Sequence, residues 1–321
     1  MRDALGRILR ALIVALLFFL PKPRKLRLER WLRGREDLRR LRRADCVVVS
    51  FGKSGRTWLR VMLSHFFQVK HGLPEGQLMG FENLHRKNAA IPKILFTHDN
   101  YLKDYTGKGN DKSDYAHSKV VLLVRHPADV AVSQYFQWKH RMRPAKKALN
   151  DYPAHGAEIS LFDFVMRESS GLPKIIDFMN AWAKAMPALS SLLVVRYEDM
   201  RARPEETLGG ILDFMGTPAG AAELSEVVEF ARFDNMKKLE SKRVFWLSGG
   251  RMVPGDRSDP NSYKVRRAKV DGYRDDFSPE ELAQIDALIA ETLDPQFGYG
   301  GPAEVVAPAT AASGSNGPNA G

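Results

Sequence analysis

Gly52, Lys53, Ser54, Gly55, Arg56 and Thr57 follow one another between a run of β-branched residues and a stretch of helical spacing. These residue types hold anions. Glycine lets the backbone turn its N–H groups toward one point, lysine adds a full positive charge, and hydroxyls donate hydrogen bonds. Val47, Val48 and Val49 suit a buried strand, and Trp58, Leu59, Val61, Met62 and Phe66 recur at helical spacing. The order is therefore strand, loop, helix, which aims loop N–H groups and a helix N-terminus at one place and favours phosphate or sulfate there. The nucleotide-triphosphate loop G-x-x-x-x-G-K-[ST] does not fit, because its first glycine would fall on Val47, inside the strand.

Other elements must position this loop. Four short apolar runs, 46–50, 93–97, 119–124 and 192–196, read as strands, and each ends in polar residues: Ser50 and Gly52, His98, Arg125, and Tyr197 with Glu198. Helical spacing marks 55–69, 127–140, 160–168, 173–188, 204–215 and 278–293. The last opens with Ser278, Pro279 and Glu281, a capping box with proline in the first turn. Strands alternating with helices and no internal repeat predict an α/β fold with a mostly parallel sheet, in which ligands sit at the strands' carboxyl ends. Residues 242–263 have no sustained period and contain Gly-Gly, Pro-Gly and Asp-Pro, as expected of a functional lid.

With 321 residues, 44% of them hydrophobic, the chain can bury one large core. Its only cysteine, Cys46, excludes an internal disulfide, fits a reducing compartment and sits where a small apolar residue on a buried strand is expected. The net charge of +11 is uneven: Met1 to Arg43 holds 14 basic and 4 acidic residues, leaving the rest nearly neutral. That distribution argues against a nucleic-acid-binding body and toward a basic segment at one end. Residues 11–20 are continuously apolar but about half the roughly 20 needed to span a bilayer. "PKPRKLRLERW" follows in place of a small-residue cleavage site, so an anchor is favoured over a cleaved signal. The eleven Lys and Arg from Lys22 to Arg43 suit anionic headgroups on the cytoplasmic face. Leu28, Trp31, Leu32, Leu38 and Leu41 give that stretch a partly amphipathic face, whose other reading is a basic helix packed on the body. From Gly300 the chain is Gly-, Pro-, Ala- and Ser-rich, as in a disordered tail. The expected division is a membrane-association segment at 1–43, a domain at 44–299 and a tail at 300–321.

The segment "GKSGRTWL" (52–59) resembles the phosphosulfate-binding segment P-K-S-G-T-T-W-L of sulfotransferases that use 3′-phosphoadenosine 5′-phosphosulfate (PAPS), with Gly52 for Pro and Arg56 for the first Thr. "KVVLLVRHPADVAVSQYFQ" (119–137) is similar to that family's 3′-phosphate segment, a strand followed by R-[ND]-P-x-D-x-x-V-S-x-Y, with His126 replacing Asn or Asp. "VRRAKVDGYRDDF" (265–277) resembles L-R-K-G-x-x-G-D-W through its arginine pair, with Ala268 for Gly, "DG" for "GD" and Tyr273 for Trp. "RFDNMKK" (232–238) resembles a smaller element whose Phe and Met line the adenine. The resemblance covers roughly Cys46 to Phe277.

That resemblance implies a single P-loop-like three-layer domain, a mostly parallel central sheet flanked by helices. It assigns Lys53, Ser54, Gly55, Arg56 and Thr57 to the phosphosulfate and Arg125, Ser133, Arg266 and Arg267 to the 3′-phosphate. Arg125 leaves a strand end and Ser133 lies on the helix begun by Pro127, so fork and hydroxyl can meet one phosphate. Trp58, Tyr197, Phe233 and Met236 would line the adenine. His98 falls on the base of the family's K-T-H segment, Phe96 takes the place of that segment's Lys, and Asp99 adds a charge beside it. The implied reaction is sulfuryl transfer from PAPS to a hydroxyl or amine, with a small molecule or, given the N-terminal segment, a membrane lipid, glycolipid or lipid-linked glycan as acceptor. No metal is called for, and the eight histidines and one cysteine show no ligand spacing. Rival readings are an ATP-dependent kinase with a degenerate loop and a membrane-attached nucleotide-binding protein without activity. The acceptor is expected against loops 71–92 and 141–160, which carry no motif.

Overall fold

The computed structural model describes residues 2–245, 248, 252–256 and 258–299. The expected tail at 300–321 lies outside the described residues, as do 246, 247, 249–251 and 257 of the expected lid. Four parallel strands, β1 (Cys46–Val49), β2 (Ile94–Thr97), β3 (Lys119–Val124) and β4 (Ser191–Arg196), form a sheet in the order β2-β1-β3-β4. Val48 pairs with Phe96 on one side and with Val121 on the other. The chain leaves β1 toward one edge and β3 toward the other, so the crevice where the connections diverge lies between β1 and β3. The anion loop follows β1, and Arg125 follows β3.

Helices cover both faces, as the continuous apolar strands require. The helices are α1 (Arg2–Leu16), α2 (Lys22–Leu41), α3 (Arg56–Lys70), α4 (Leu102–Thr106), α5 (Pro127–His140), α6 (Pro144–Leu149), α7 (Leu161–Met166), α8 (Leu172–Ala185), α9 (Tyr197–Ala202), α10 (Pro204–Met215), α11 (Ala221–Phe230), α12 (Phe233–Ser241) and α13 (Pro279–Thr292). Val47, Val49, Val120 and Leu122 pack with α5, α8, α13 and the end of α2, while Cys46, Val48, Val121 and Leu123 pack with α3, α10, α11 and α12. The result is three layers.

The basic stretch forms α2, which buries Gly34, Leu38 and Leu41. It docks on α4 at a glycine: a Cβ on Gly34 would stand 2.2 Å from the Tyr101 carbonyl oxygen. The apolar run does not continue as one helix. It ends α1 at Leu16 and turns over residues 17–20, leaving Leu9, Leu12, Leu16, Phe18 and Phe19 exposed. No helix among the described residues is long and apolar enough to cross a membrane.

Candidate active site

A cavity of about 980 Å³ opens at the carboxyl ends of β1, β2 and β3. Its lining brings together Lys53, Gly55, Arg56, Thr57, Trp58, His98, Arg125, Ser133, Tyr197, Phe233, Met236, Arg266 and Arg267. Ser54 is buried and lies outside the lining. Residues 71–92 contribute none of the described lining, contrary to expectation, because Leu78, Met79, Leu84 and Ile91 are drawn into the core on the α3 side. The 141–160 loop does line the cavity, through residues such as Met142, Asn150 and Tyr152. From the expected lid, Val253, Pro254 and Gly255 reach it.

The loop turns sharply at Lys53 (φ 76°) and Gly55 (φ 91°). Gly55 is required twice over, since a Cβ there would also come 2.6 Å from Cδ2 of Tyr197. Lys53 is half-buried, with the charges of Arg141, Arg125 and Arg266 acting on it against that of Glu240. Burial first, then the neighbouring cations, bring its pKa down to about 7. Glu240 is fully buried and organises the cationic wall. It accepts from Arg141 Nη1 at 2.9 Å and from the backbone N–H groups of Lys264 (2.8 Å) and Val265 (3.0 Å). Lys53, Arg56, Arg125, Arg141, Lys264 and Arg266 around one space outnumber Glu240 and Asp129 beside them, an excess that favours a multiply charged anion.

Arg125 lies over the Tyr197 ring at 4.4 Å and donates through Nη2 to Asp129 and to the Lys269 carbonyl, both at 3.0 Å; its buried Nε has no partner among the described residues. A guanidinium held in place at a cavity wall is suited to an incoming phosphate oxygen. Arg266 stacks on Phe136 with its guanidinium 3.8 Å from the ring centre, whereas Arg267 pairs with Asp276 at 3.1 Å and is largely exposed. Trp58 meets Tyr197 edge-on at 6.0 Å and donates from Nε1 to the Ala231 carbonyl at 2.8 Å, fixing an aromatic wall beside Phe233 and Met236.

His98 is held by both ring nitrogens: Nδ1 lies 2.8 Å from the Ser50 carbonyl oxygen and Nε2 lies 2.5 Å from Arg56 Nη2. Burial and the Arg56 charge hold its pKa well below the ordinary value of 6.5. The neighbouring Asp99, with φ 53°, turns its carboxylate away to Lys112 Nζ (2.6 Å) and Tyr115 Oη (2.9 Å). The charge whose role the sequence left open is thus part of a buried structural pair.

The family model for the sulfotransferase domain matches residues 43–296. This chain belongs to the sulfotransferase family. That membership decides against the kinase reading of the loop. Sulfotransferase 2A6 of Mus musculus is 29% identical over 263 residues, covering 78% of this chain and 84% of that protein. Flavonol 3-sulfotransferase of Flaveria bidentis is 23% identical over 272 residues, covering 78% and 81%. The solved structure of mouse sulfotransferase SULT7A1 complexed with PAP shares the fold, with 20% identity, a TM-score of 0.53, and coverage of 80% of this chain and 89% of that one. For a sulfotransferase, the local departures have visible packing consequences. Phe96 lies under the Arg60 guanidinium, 3.9 Å from its ring centre, and His126 stacks flat on Tyr273 at 4.8 Å, so two replacements face each other.

Sequence reasoning missed Asp129, Arg141, Glu240, Lys264 and Gln134. Asp129 and Gln134 stood inside the segment 119–137 and could have been found there. Arg141, Glu240 and Lys264 lie outside the motif segments, and only the fold brings them to this site.

Proposed function

We propose that this sulfotransferase moves the sulfuryl group of PAPS to a hydroxyl or amine on a membrane lipid, glycolipid or lipid-linked glycan, working at the cytoplasmic face of a membrane. The observation that carries the donor assignment is that Arg125, Ser133, Arg266 and the Lys53 loop line one cavity. The donor supplies an activated sulfuryl group, and the chain's residues position and neutralise. Arg125, Ser133, Arg266 and Arg267 take the 3′-phosphate, and Trp58, Tyr197, Phe233 and Met236 enclose the adenine. Lys53 and the N–H groups of residues 54–57 balance the charge that grows on the departing phosphate oxygen. His98, protonated on Nδ1 by its bond to the Ser50 carbonyl, offers Nε2 to the acceptor proton.

The acceptor reading rests on the amides of the cavity lining. Asn100, Gln134, Gln137 and Asn150 are among them, and Gln134 is buried without a side-chain hydrogen bond among the described residues. Amides there suit a hydroxylated group. Arg30 of α2 stands on the rim, donating to the Leu149 carbonyl at 2.8 Å and pairing with Asp151 at 2.6 Å, with exposed Lys103, Arg143 and Lys146 nearby on the lining. The same α2 carries α1, whose apolar stripe is exposed. A basic mouth beside an apolar stripe fits an anionic lipid surface.

The test is PAPS turnover against a fractionated membrane extract of the host, with mass spectrometry for products heavier by one SO₃. Sulfated lipid or glycan products are expected. Turnover confined to the water-soluble fraction would remove the acceptor proposal, and magnesium-dependent phosphorylation from ATP would remove the donor.

A further inference from the structure

The contact between Arg56 and His98 has a chemical consequence that follows from the tautomer. The Ser50 carbonyl has no proton to give, so at 2.8 Å it is His98 Nδ1 that donates. The lone pair of the neutral ring then lies on Nε2, and Arg56 Nη2, 2.5 Å away, donates to it. A lone pair already accepting from a guanidinium is not available to an acceptor hydroxyl. Arg56 is the first residue of α3, directly after Gly55, so its side chain springs from the loop that would hold the donor's phosphosulfate. The charged groups acting most on His98 are Arg56, Lys146 from α6 and Lys264 from the segment after the expected lid, all cations; the Asp99 carboxylate is engaged elsewhere.

A sulfonate oxygen is a stronger partner for a guanidinium than a neutral imidazole is. We propose that Arg56 is a positioning residue that couples donor binding to release of the base: it caps His98 Nε2 until PAPS binds, then turns to the sulfonate and leaves Nε2 open to the acceptor. This rests on the sulfotransferase reading above. In the step that follows, the acceptor O–H proton passes to Nε2 and the acceptor oxygen bonds to sulfur. The bond from sulfur to the 5′-phosphate oxygen breaks, its electron pair staying with adenosine 3′,5′-bisphosphate (PAP). When PAP leaves, Arg56 returns toward an imidazolium, and repulsion between the two cations sends the proton to water. The device imposes an order in which the donor binds before the acceptor. It also makes the sulfonate, absent from PAP, the trigger.

The test uses the full chain labelled with ¹⁵N-histidine, the His98 signals being assigned by their loss in His98→Gln. In the ligand-free protein, Arg56→Gln should raise the midpoint of the His98 titration by about one pH unit or more, and Arg56→Lys, which keeps a cationic donor, should restore much of the original behaviour. PAPS without acceptor should shift the Nε2 resonance, whereas PAP alone should leave it near its ligand-free position. An unchanged His98 titration in Arg56→Gln, or an equal response to PAP and PAPS, would overturn the proposal. Failure of the donor assignment is separable, because it would abolish PAPS turnover in the wild type while the ligand-free titrations still report on Arg56.

Discussion

Asp129 holds Arg125 from below: its carboxylate accepts from Arg125 Nη2 at 3.0 Å and at the same time from the backbone N–H groups of Asp271 (3.1 Å) and Tyr273 (3.0 Å). One buried side chain therefore ties the arginine at the end of β3 to the segment that carries Arg266 and Arg267. Removing it leaves a buried cation without its counter-charge and two N–H groups without acceptors. Breaking such a pair costs about 3–5 kcal/mol. Asp129→Ala is expected to lower the unfolding midpoint and to weaken PAP binding more than Asp129→Asn, which keeps a carbonyl acceptor. Denaturant titration with calorimetry checks both, and equal behaviour of the two variants would refute the tie.

The cationic wall should recognise the 3′-phosphate itself. PAP is expected to stabilise the protein strongly and ATP much less, since ATP brings nothing to Arg125, Ser133 and Arg266. Arg125→Ala should cost about 1.5–3 kcal/mol of PAP affinity if one charge-assisted bond is lost. Equal calorimetric affinity for ATP and PAP would sink the assignment of these residues.

His98 and Lys53 should separate by what they leave intact. Each change to alanine is expected to lower turnover roughly a hundredfold or more. His98→Ala should keep PAP affinity, because the ring faces the acceptor proton, while Lys53→Ala should weaken donor binding as well. Near-wild-type turnover in His98→Ala would mean that another group takes the proton.

The sheet was legible because each strand is a short apolar run ending in a polar residue. The expected runs 46–50, 93–97, 119–124 and 192–196 meet strands at 46–49, 94–97, 119–124 and 191–196. Short helices such as Leu102–Thr106 and Tyr197–Ala202 hold too few turns to show a period, and the basic face of α2 hides the Gly34, Leu38 and Leu41 stripe that docks it. At the site, the residues singled out on motif segments line the cavity, Ser54 excepted, while Asp129 and Gln134 on the same segments were passed over. Glu240 was missed, because nothing local distinguishes the glutamate that receives Arg141 from one in solvent.

Lys53 makes donor binding pH-dependent in a definite sense. Burial and nearby cations hold its pKa at about 7, against an ordinary 10.5, so at pH 8 the free protein carries it mostly neutral. A bound phosphosulfate or phosphate restores the charged form, and binding at pH 8 must take up a proton. Affinity is therefore expected to fall as pH rises above about 7. The linked stability has its own sign: the unfolded chain holds this proton more tightly, so the free protein's stability is present above pH 10.5 and is lost as pH falls toward 7. Calorimetry in buffers of different ionisation enthalpy measures the uptake, which should vanish in Lys53→Met. No uptake at pH 8 in the wild type would contradict the placement of Lys53 at the anion.

The N-terminal helices yield the prediction on which the membrane reading stands. Leu9, Leu12 and Leu16 lie three and four residues apart on α1, are 55%, 54% and 71% exposed, and run on to exposed Phe18 and Phe19. Entering the headgroup boundary would bury these side chains, each worth about 1.5–3 kcal/mol when fully removed from water, and the basic residues of α2 would add attraction that salt screens. Binding to vesicles containing anionic phospholipid is expected to weaken with added salt and to drop sharply in the double variant Leu12→Gln, Leu16→Gln. Both positions are exposed and outside the cavity, so turnover of a water-soluble acceptor should be unchanged. Equal vesicle binding by the double variant and the wild type would show that this stripe meets no bilayer, and the lipid-linked acceptor would lose its physical basis with it.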